Sequence, residues 1–273
     1  MIRVLGAAAA SARRIGLGSA ARAAVAAADA VLLRVRRPPL TARVSGVAVH
    51  GFFRHRSFLA EAMRHRETYA ELFQELLRPG MTVVDGGAHV GLYTVLAARG
   101  VGPGGLVIAV EPDLYNIAAL ERNVDPAVAN VEIVAEALAE GGGVAEFYEA
   151  RSTIGSSLIK RPDSRARTVR TTSIDLLLEG RDVASLLVKL NIEGAEPLAL
   201  AGMRKVLARV DPVAMLIEVN PPLLEAAGTD VTVLVDTLRS HGFTVEYVDL
   251  PTQKGVALPE PMRKGHLLAR RSL

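Results

Sequence analysis

From about residue 81 onward, short apolar runs alternate with segments whose apolar residues recur every three or four positions. The runs predict buried strands and the periodic segments predict helices. We expect strands at residues 81–85, 106–111, 131–137, 144–148, 168–172, 184–190, 213–219, 243–250 and 266–270. We expect helices at residues 92–99, 112–124, 174–178, 197–208 and 231–241. This alternation predicts one α/β domain with a doubly wound, mostly parallel sheet.

The pattern before this alternation predicts an N-terminal extension over residues 1–56 and a main domain over residues 57–273. Residues 57–77 are amphipathic and predict one helix, which the following Pro and Gly would end. Residues 42–53 predict one or two short strands. Residues 19–37 predict a helix that is either a loosely packed leader or a contact with a membrane surface or a partner. The polar residues 151–170 predict a loop near the active face.

The composition narrows the compartment and the classes of partner. The chain has no cysteine, which excludes disulfides, thiolate catalysis and cysteine-based zinc sites and fits a reducing compartment such as the cytoplasm. The net charge is only +3, and the surplus of arginine lies largely in the first 66 residues. This basic segment suits an anionic partner, including membrane lipid, but no aromatic residues are interleaved as nucleic-acid binding would require. No apolar run approaches the ~20 residues of a transmembrane helix.

The stretch MTVVDGGAHVG at residues 81–91 carries the first candidate chemistry. Asp85 ends the strand, and Gly86, Gly87 and Gly91 allow a sharp turn and a close approach to a ligand. No lysine follows the glycines, which excludes a P-loop, and the G-x-G-x-x-G spacing of a dinucleotide site is present only in a relaxed form. Asp85 would repel a pyrophosphate but suits an ammonium group and a sulfonium. These features indicate S-adenosylmethionine.

Later strands end in further polar residues. Glu111 follows the next predicted strand, where a carboxylate can accept both hydroxyls of a ribose. The stretch VKLNIEGAE at residues 188–196 directs Lys189, Asn191 and Glu193 to one side of a strand and its exit. A lysine, an amide and a carboxylate converging at a sheet edge indicate function. The alternative is a structural ion pair between Lys189 and Glu193.

These motifs carry a family resemblance. VVDGGAHVG with the later VEP, followed by VKLNIEGAE, resembles the FkbM family of S-adenosylmethionine-dependent methyltransferases, and the similarity in order and spacing covers about residues 71–219. The resemblance implies a Rossmann-like class I methyltransferase fold with seven strands, the last of them antiparallel. It also implies O-methylation of a hydroxyl on a sugar, a glycan, a glycolipid or a polyketide-type natural product.

Two positions depart from the family pattern. Asn191 stands where the family usually has Asp, which makes it a poorer base and a weaker metal ligand. His89 stands where Asn is common, and it could donate to the cofactor carboxylate, titrate near neutral pH or cap the turn.

Resemblance and position together assign roles. The expected cofactor-binding residues are Asp85, Gly86, Gly87, His89, Gly91, Glu111, Pro112, Glu136 and Ala137. The expected catalytic residues are Lys189, Asn191, Glu193 and Glu218. Glu193 or Glu218 would accept the proton of the acceptor, and Lys189 would stabilise a developing alkoxide. Glu196 is expected to cap the following helix.

Two other function classes stay open. One is a nicotinamide-dependent oxidoreductase, against which Asp85 argues, and the other is a non-catalytic cofactor-binding scaffold, which Asn191 keeps open. We expect no metal, because no motif such as H-E-x-x-H is present. The expected partners are a small-molecule, glycan or lipid-linked acceptor, with no nucleic acid. Peripheral membrane contact or a homodimer through the Ala-rich leader are further options for a cytoplasmic protein.

Overall fold

A computed structural model describes residues 40–64, 69–125, 130–150, 155–161 and 164–272. The helix predicted over residues 19–37 lies outside these ranges. No helix within them is long and apolar enough to cross a membrane.

The described residues form thirteen strands, nine α-helices and a short 3-10 helix at Phe53–His55. The strands are β1 (Leu40–Val44), β2 (Val47–Gly51), β3 (Thr82–Gly86), β4 (Leu106–Val110), β5 (Val131–Val134), β6 (Ala137–Leu138), β7 (Gly143–Glu149), β8 (Arg165–Thr172), β9 (Leu186–Leu190), β10 (Val213–Val219), β11 (Thr244–Asp249), β12 (Lys254–Val256) and β13 (Gly265–Arg271). The helices are α1 (Arg56–Arg64), α2 (Ala70–Leu76), α3 (Leu92–Val101), α4 (Leu114–Asn123), α5 (Ile174–Leu177), α6 (Glu196–Ala201), α7 (Arg204–Arg209), α8 (Pro221–Ala226) and α9 (Val231–Ser240).

The central sheet has the strand order β12-β11-β13-β10-β9-β3-β4-β5. The five strands from β10 to β5 are mutually parallel, whereas β13 runs antiparallel to both β10 and β11. The predicted Rossmann-like, mostly parallel sheet with an antiparallel last strand is therefore confirmed. The short edge strand β12 is an eighth member that the sequence pattern did not indicate, because three residues are too few to show an alternation.

Alternate residues of the strands pack into two hydrophobic cores, one on each face of the sheet. Val84 and Val188 pack with helices α6 to α9, whereas Val83 and Leu187 pack with α2, α3 and the β1–β2 hairpin. Both sets are fully buried. Buried parallel strands covered on both faces are why these segments read as continuous apolar runs.

Two other strand predictions need correction. The strand predicted over residues 131–137 is divided between β5 of the central sheet and β6, which joins β8 and β7 in a separate three-stranded sheet. The loop predicted over residues 151–170 contains the first part of β8, which pairs with β7 from Arg165 onward. Most side chains at the start of β8 are exposed, so the strand has no apolar pattern and depends on backbone pairing.

Two predicted helices are each represented by two shorter helices. Helices α1 and α2 occupy the range of residues 57–77, and residues 65–68 between them are outside the described part. The helix predicted over residues 197–208 is interrupted at Gly202, where a Cβ atom would lie 2.3 Å from the carbonyl oxygen of Ala139. Asp175 then accepts hydrogen bonds from the backbone of Lys205 and Val206 at 3.0 and 2.8 Å and starts α7.

Candidate active site

A pocket of about 130 Å³ opens at the carboxyl ends of β3, β4 and β9. Its walls come from the turn after β3, the start of α4, the turn after β9 and residues 155–158. Of the predicted site residues, the pocket is lined by Gly87, His89, Glu111, Pro112, Ala137, Lys189, Asn191 and Glu193. The pocket thus brings together predicted residues from distant parts of the chain.

The glycine turn joins β3 to α3 under tight steric constraints. Gly87 has a φ of +73°, and a Cβ atom there would lie 2.1 Å from the carbonyl oxygen of Asn191. Gly91 has a φ of +90°, and a Cβ atom there would lie 2.5 Å from the side chain of Leu120. Both positions therefore need glycine for conformation, and Gly87 needs it for space as well because the close atom there is backbone.

Asp85 and Lys189 form a buried ion pair behind this turn. They are directly opposite in the pairing of β3 with β9, and Lys189 Nζ lies 3.1 Å from Asp85 Oδ1. Asp85 Oδ2 accepts a hydrogen bond from Thr94 at 2.7 Å, and Lys189 also donates to the carbonyl oxygens of Gly86 and Gly87 at 3.3 and 2.9 Å. Asp85 and Gly86 are not among the lining residues. The alternative considered from the sequence, a structural ion pair between Lys189 and Glu193, is therefore wrong, because Lys189 pairs with Asp85.

Glu111 is held in one orientation at the pocket wall. Its Oε2 accepts from the backbone of His89 at 2.9 Å, and its Oε1 accepts from the backbone of Asp113 at 2.9 Å and from Asn116 Nδ2 at 3.1 Å. Burial raises the pKa of Glu111 to about 7, against these three hydrogen bonds, which favour the charged form. A fixed carboxylate at this position can accept hydrogen bonds from a diol.

His89 occupies the turn with a φ of +53°. Its ring packs against His55 and Phe58, at centroid distances of 5.2 and 4.6 Å. Burial, with repulsion from His55 and Lys189, holds the pKa of His89 well below its usual value of 6.5. The ring is therefore neutral at physiological pH, and of the roles considered from the sequence, titration near neutral pH is wrong.

The turn after β9 brings charged groups to the opposite wall. Glu193 has a φ of +57° and its Oε2 lies 2.8 Å from Arg161 Nη2. Glu196 is buried and accepts hydrogen bonds from the backbone of Ile192 and Gly194 at 3.2 and 2.9 Å. Glu196 thus closes the turn that presents Glu193, rather than serving mainly as the cap of the next helix.

Three other predicted residues lie outside the lining of the pocket. Glu136 pairs with Arg170 at 2.9 Å, and Glu218 pairs with Lys264 at 3.1 Å. Gly91 begins α3 and is likewise not a lining residue. Cofactor or catalytic roles for these three residues stay predictions.

The pocket also contains residues to which the sequence assigned no role. Ser157 is buried, donates to the carbonyl oxygen of Ile192 at 3.2 Å and accepts from the backbone of Ile159 at 3.0 Å. It belongs to the sequence GSS at residues 155–157, which also resembles the FkbM family and could have indicated this wall. Tyr93 and Asn116 lie on α3 and α4 where nothing in the apolar pattern distinguishes them. No group of three or more His, Asp or Glu side chains in the described residues could hold a metal ion.

Comparison with known protein families shows to which family the chain belongs. Residues 85–245, more than half of the chain, match the Methyltransferase FkbM domain. The chain belongs to the FkbM methyltransferase family. Its methyl donor is therefore S-adenosylmethionine. No curated protein matches the chain.

Several solved structures are similar to this FkbM chain in fold. A SAM-dependent methyltransferase from Aquifex aeolicus has a TM-score of 0.44 and 14% identity over 75% of this chain and 89% of its own. A SAM-dependent O-methyltransferase from Thermotoga maritima has a TM-score of 0.42 and 14% identity over 86% of this chain and 78% of its own. Precorrin-6y C5,15-methyltransferase from Geobacter metallireducens has a TM-score of 0.42 and 14% identity over 77% and 89%.

The polar and apolar groups that line the pocket fit parts of S-adenosylmethionine. The carboxylate of Glu111 matches the two ribose hydroxyls, and the apolar wall of Ala137 and Leu138 matches a flat adenine ring. Gly87 and Asn191 both line the pocket, but the backbone N–H of Gly87 already donates to the carbonyl oxygen of Val110 at 2.9 Å, so only the carbonyl oxygen of Gly87 can face the methionine end.

Proposed function

We propose that this chain transfers the methyl group of S-adenosylmethionine to a hydroxyl oxygen of a sugar, glycan, glycolipid or polyketide-type acceptor. The observation that carries the proposal is the carboxylate of Glu193, which lines the pocket with its orientation held by Arg161 at 2.8 Å. A hydroxyl must lose its proton when it is methylated, so O-methylation needs a proton acceptor at the site. A carboxylate at the pocket wall supplies one.

The cofactor is held, in this proposal, by residues directly after β3 and β4 and at the start of β6. Glu111 accepts the ribose hydroxyls, Ala137 contacts the adenine and Gly87 receives the methionine end. Lys189 acts on the cofactor through the glycine turn, since its ammonium group faces Asp85 and two carbonyl oxygens of that turn. This makes Lys189 a positioning residue and leaves Glu193 as the catalytic carboxylate.

When bound, the cofactor supplies a methyl group activated by a sulfonium. Asn191 and Glu193 orient the acceptor hydroxyl toward that methyl group. Transfer of that methyl group to the hydroxyl oxygen would leave the carbon–sulfur bonding pair on sulfur. The proton of the hydroxyl passes to the carboxylate of Glu193. The products are a methyl ether and a neutral thioether.

The backbone of Glu193 supports a functional role for this side chain. A non-glycine residue with a φ of +57° costs roughly 1 kcal/mol of backbone strain. Gly194 follows with a φ of +97°, and Glu196 closes the turn from below with two hydrogen bonds. The turn is thus held in a strained form that directs Glu193 into the pocket.

The test uses S-adenosylmethionine with a labelled methyl group and a panel of saccharides, glycolipids and polyhydroxylated ketides. We expect label in a product that resists mild alkali, as an ether does, with the mass increase of one methylation. Label released by mild alkali would indicate a methyl ester, and label on carbon or nitrogen would equally overturn O-methylation.

Glu193→Gln removes the proton acceptor and keeps the size of the side chain. We expect kcat to fall by about 10²- to 10⁴-fold, while the affinity for S-adenosylhomocysteine stays within about twofold. Glu149→Gln is the matched control, because Glu149 also pairs with an arginine, Arg167 at 2.6 Å, but does not line the pocket. An equal effect of both variants would contradict the role of Glu193.

A further inference from the structure

A directed chain of buried hydrogen bonds connects the end of the β1–β2 hairpin with Glu111. The backbone N–H of Phe52 donates to His55 Nδ1 at 2.9 Å. His55 Nε2 lies 3.1 Å from Asn116 Oδ1, and Asn116 Nδ2 donates to Glu111 Oε1 at 3.1 Å. His55, Asn116 and Glu111 are all at least 95% buried.

The direction of every bond in this chain follows from its first donor. Because a backbone N–H can only donate, Nδ1 of His55 must accept and the ring proton of the neutral imidazole must be on Nε2. That proton then faces Asn116 Oδ1, which leaves the amide NH₂ of Asn116 to face the carboxylate. If the amide of Asn116 were rotated, its NH₂ group would face the N–H of His55 and its oxygen would face the carboxylate of Glu111. Two donors would then meet on one side and two acceptors on the other.

The histidine is also kept in its neutral form. Burial lowers the pKa of His55 to about 4, against a smaller raising effect of its hydrogen bond with Asn116. Its ring packs 4.9 Å from that of Tyr115 and 5.2 Å from that of His89. The side chain of His55 therefore has one tautomer, one charge state and a fixed position.

We propose that His55 is a positioning residue for the ribose of the cofactor, acting through Asn116 on the carboxylate of Glu111. The segment that follows the β1–β2 hairpin then completes the cofactor site from outside the central sheet. His55 thus has a role at the site although it lies in residues 1–56, which were predicted to be an N-terminal extension. The inference rests on the proposed contact between Glu111 and the ribose hydroxyls.

The test compares two ligands by calorimetry, S-adenosylhomocysteine and its 2′,3′-dideoxy analogue, which lacks both ribose hydroxyls. His55→Leu should weaken S-adenosylhomocysteine about tenfold, the scale of one lost hydrogen bond, and weaken the analogue less than about twofold. His55→Gln, whose amide can still donate to Asn116, should retain most of the affinity. Should His55→Leu fail to fold, Asn116→Ser tests the same chain one step closer to Glu111.

Asn123→Ala is the matched control for loss of hairpin docking. Asn123 lies on α4, as Asn116 does. It donates to the carbonyl oxygens of His50 and Val90 at 2.8 and 2.7 Å and accepts from the backbone of His50. It makes no hydrogen bond to Glu111, whose partners are His89, Asp113 and Asn116. Equal weakening of both ligands in the His55 variants, or the same ligand discrimination in Asn123→Ala, would overturn the inference.

Glu111→Gln separates this inference from the proposal on which it rests. If Glu111→Gln also weakens S-adenosylhomocysteine more than the analogue, the ribose contact is established and the His55 result is decisive. If it weakens both ligands equally, the ribose contact is absent and the inference falls with it. The proposal for Glu193 is measured separately by kcat.

Discussion

Replacing Lys189 by Met should destabilise the fold far more than loss of a surface ion pair. Lys189 is 3% exposed and its partner Asp85 is fully buried, so the variant leaves a carboxylate in the interior with the hydroxyl of Thr94 as its remaining hydrogen-bond donor. The carbonyl oxygens of Gly86 and Gly87 lose a donor in the same step. Removing one partner of a buried pair costs about 3–5 kcal/mol, a large share of the roughly 5–15 kcal/mol that stabilises a typical domain.

The assay is urea unfolding followed by far-ultraviolet circular dichroism, since the chain has no tryptophan to serve as a fluorescent probe. Arg181→Met is the control, because Arg181 pairs with Glu132 at 2.8 Å on the surface, where both side chains are more than one-third exposed. That variant should lose no more than about 1 kcal/mol. The double variant Asp85→Asn/Lys189→Met should recover at least half of the loss, because neither charge is then buried alone. A loss in Lys189→Met no larger than in the control, or an additive double variant, would refute the reasoning.

Three further predictions concern backbone space, protonation and helix capping. Gly87→Ala should lower the free energy of unfolding in urea by more than about 2 kcal/mol, because its Cβ would lie 2.1 Å from the carbonyl oxygen of Asn191. The control Gly102→Ala, with a φ of +65° and open space around the position, should lower it by only about 1 kcal/mol. The affinity for S-adenosylhomocysteine, measured by calorimetry against pH, should fall up to about tenfold per unit below pH 7. The reason is that Glu111, whose pKa is raised to about 7, must lose its proton before the carboxylate can accept both ribose hydroxyls. Glu111→Gln should make the affinity independent of pH in this range. Asp230→Ala removes a cap of α9 that accepts a backbone hydrogen bond at 2.9 Å, and it should cost about 1 kcal/mol with no change in cofactor affinity; a change in affinity would contradict this assignment.

Sequence reasoning was most accurate where a segment is buried on both faces. Strands β3, β4, β9 and β10 are continuous apolar runs because both faces of the sheet are covered there, and burial requires apolar side chains. It was least accurate where backbone pairing or a local contact decides the structure. The exposed start of β8 at Arg165 has no apolar alternation, and the break between α6 and α7 depends on the approach of Gly202 to Ala139.

The residues of the candidate site likewise fall into those that the sequence could predict and those that it could not. Glu111 was predictable because the carboxyl end of a parallel strand is a ligand-binding edge and its position can be counted from the apolar run. The partner of Lys189 was not, since Asp85 and Glu193 are both acidic and near a strand end, and only the pairing register of β3 with β9 selects Asp85. Asn116 and His55 gave no signal because single buried polar residues on a helix or turn do not alter periodicity.

The sequence by itself determined the sheet, its glycine turn, the family and therefore the methyl donor, since these depend on local chemistry and on short motifs. The tertiary structure decided which charges meet. Asp85 is neutralised by Lys189 behind the turn, Glu193 is held by Arg161 at the pocket, and His55 reaches Glu111 through Asn116. Each of these pairings joins residues far apart in the chain, and a side chain's partner is set by strand register and packing rather than by its neighbours in sequence.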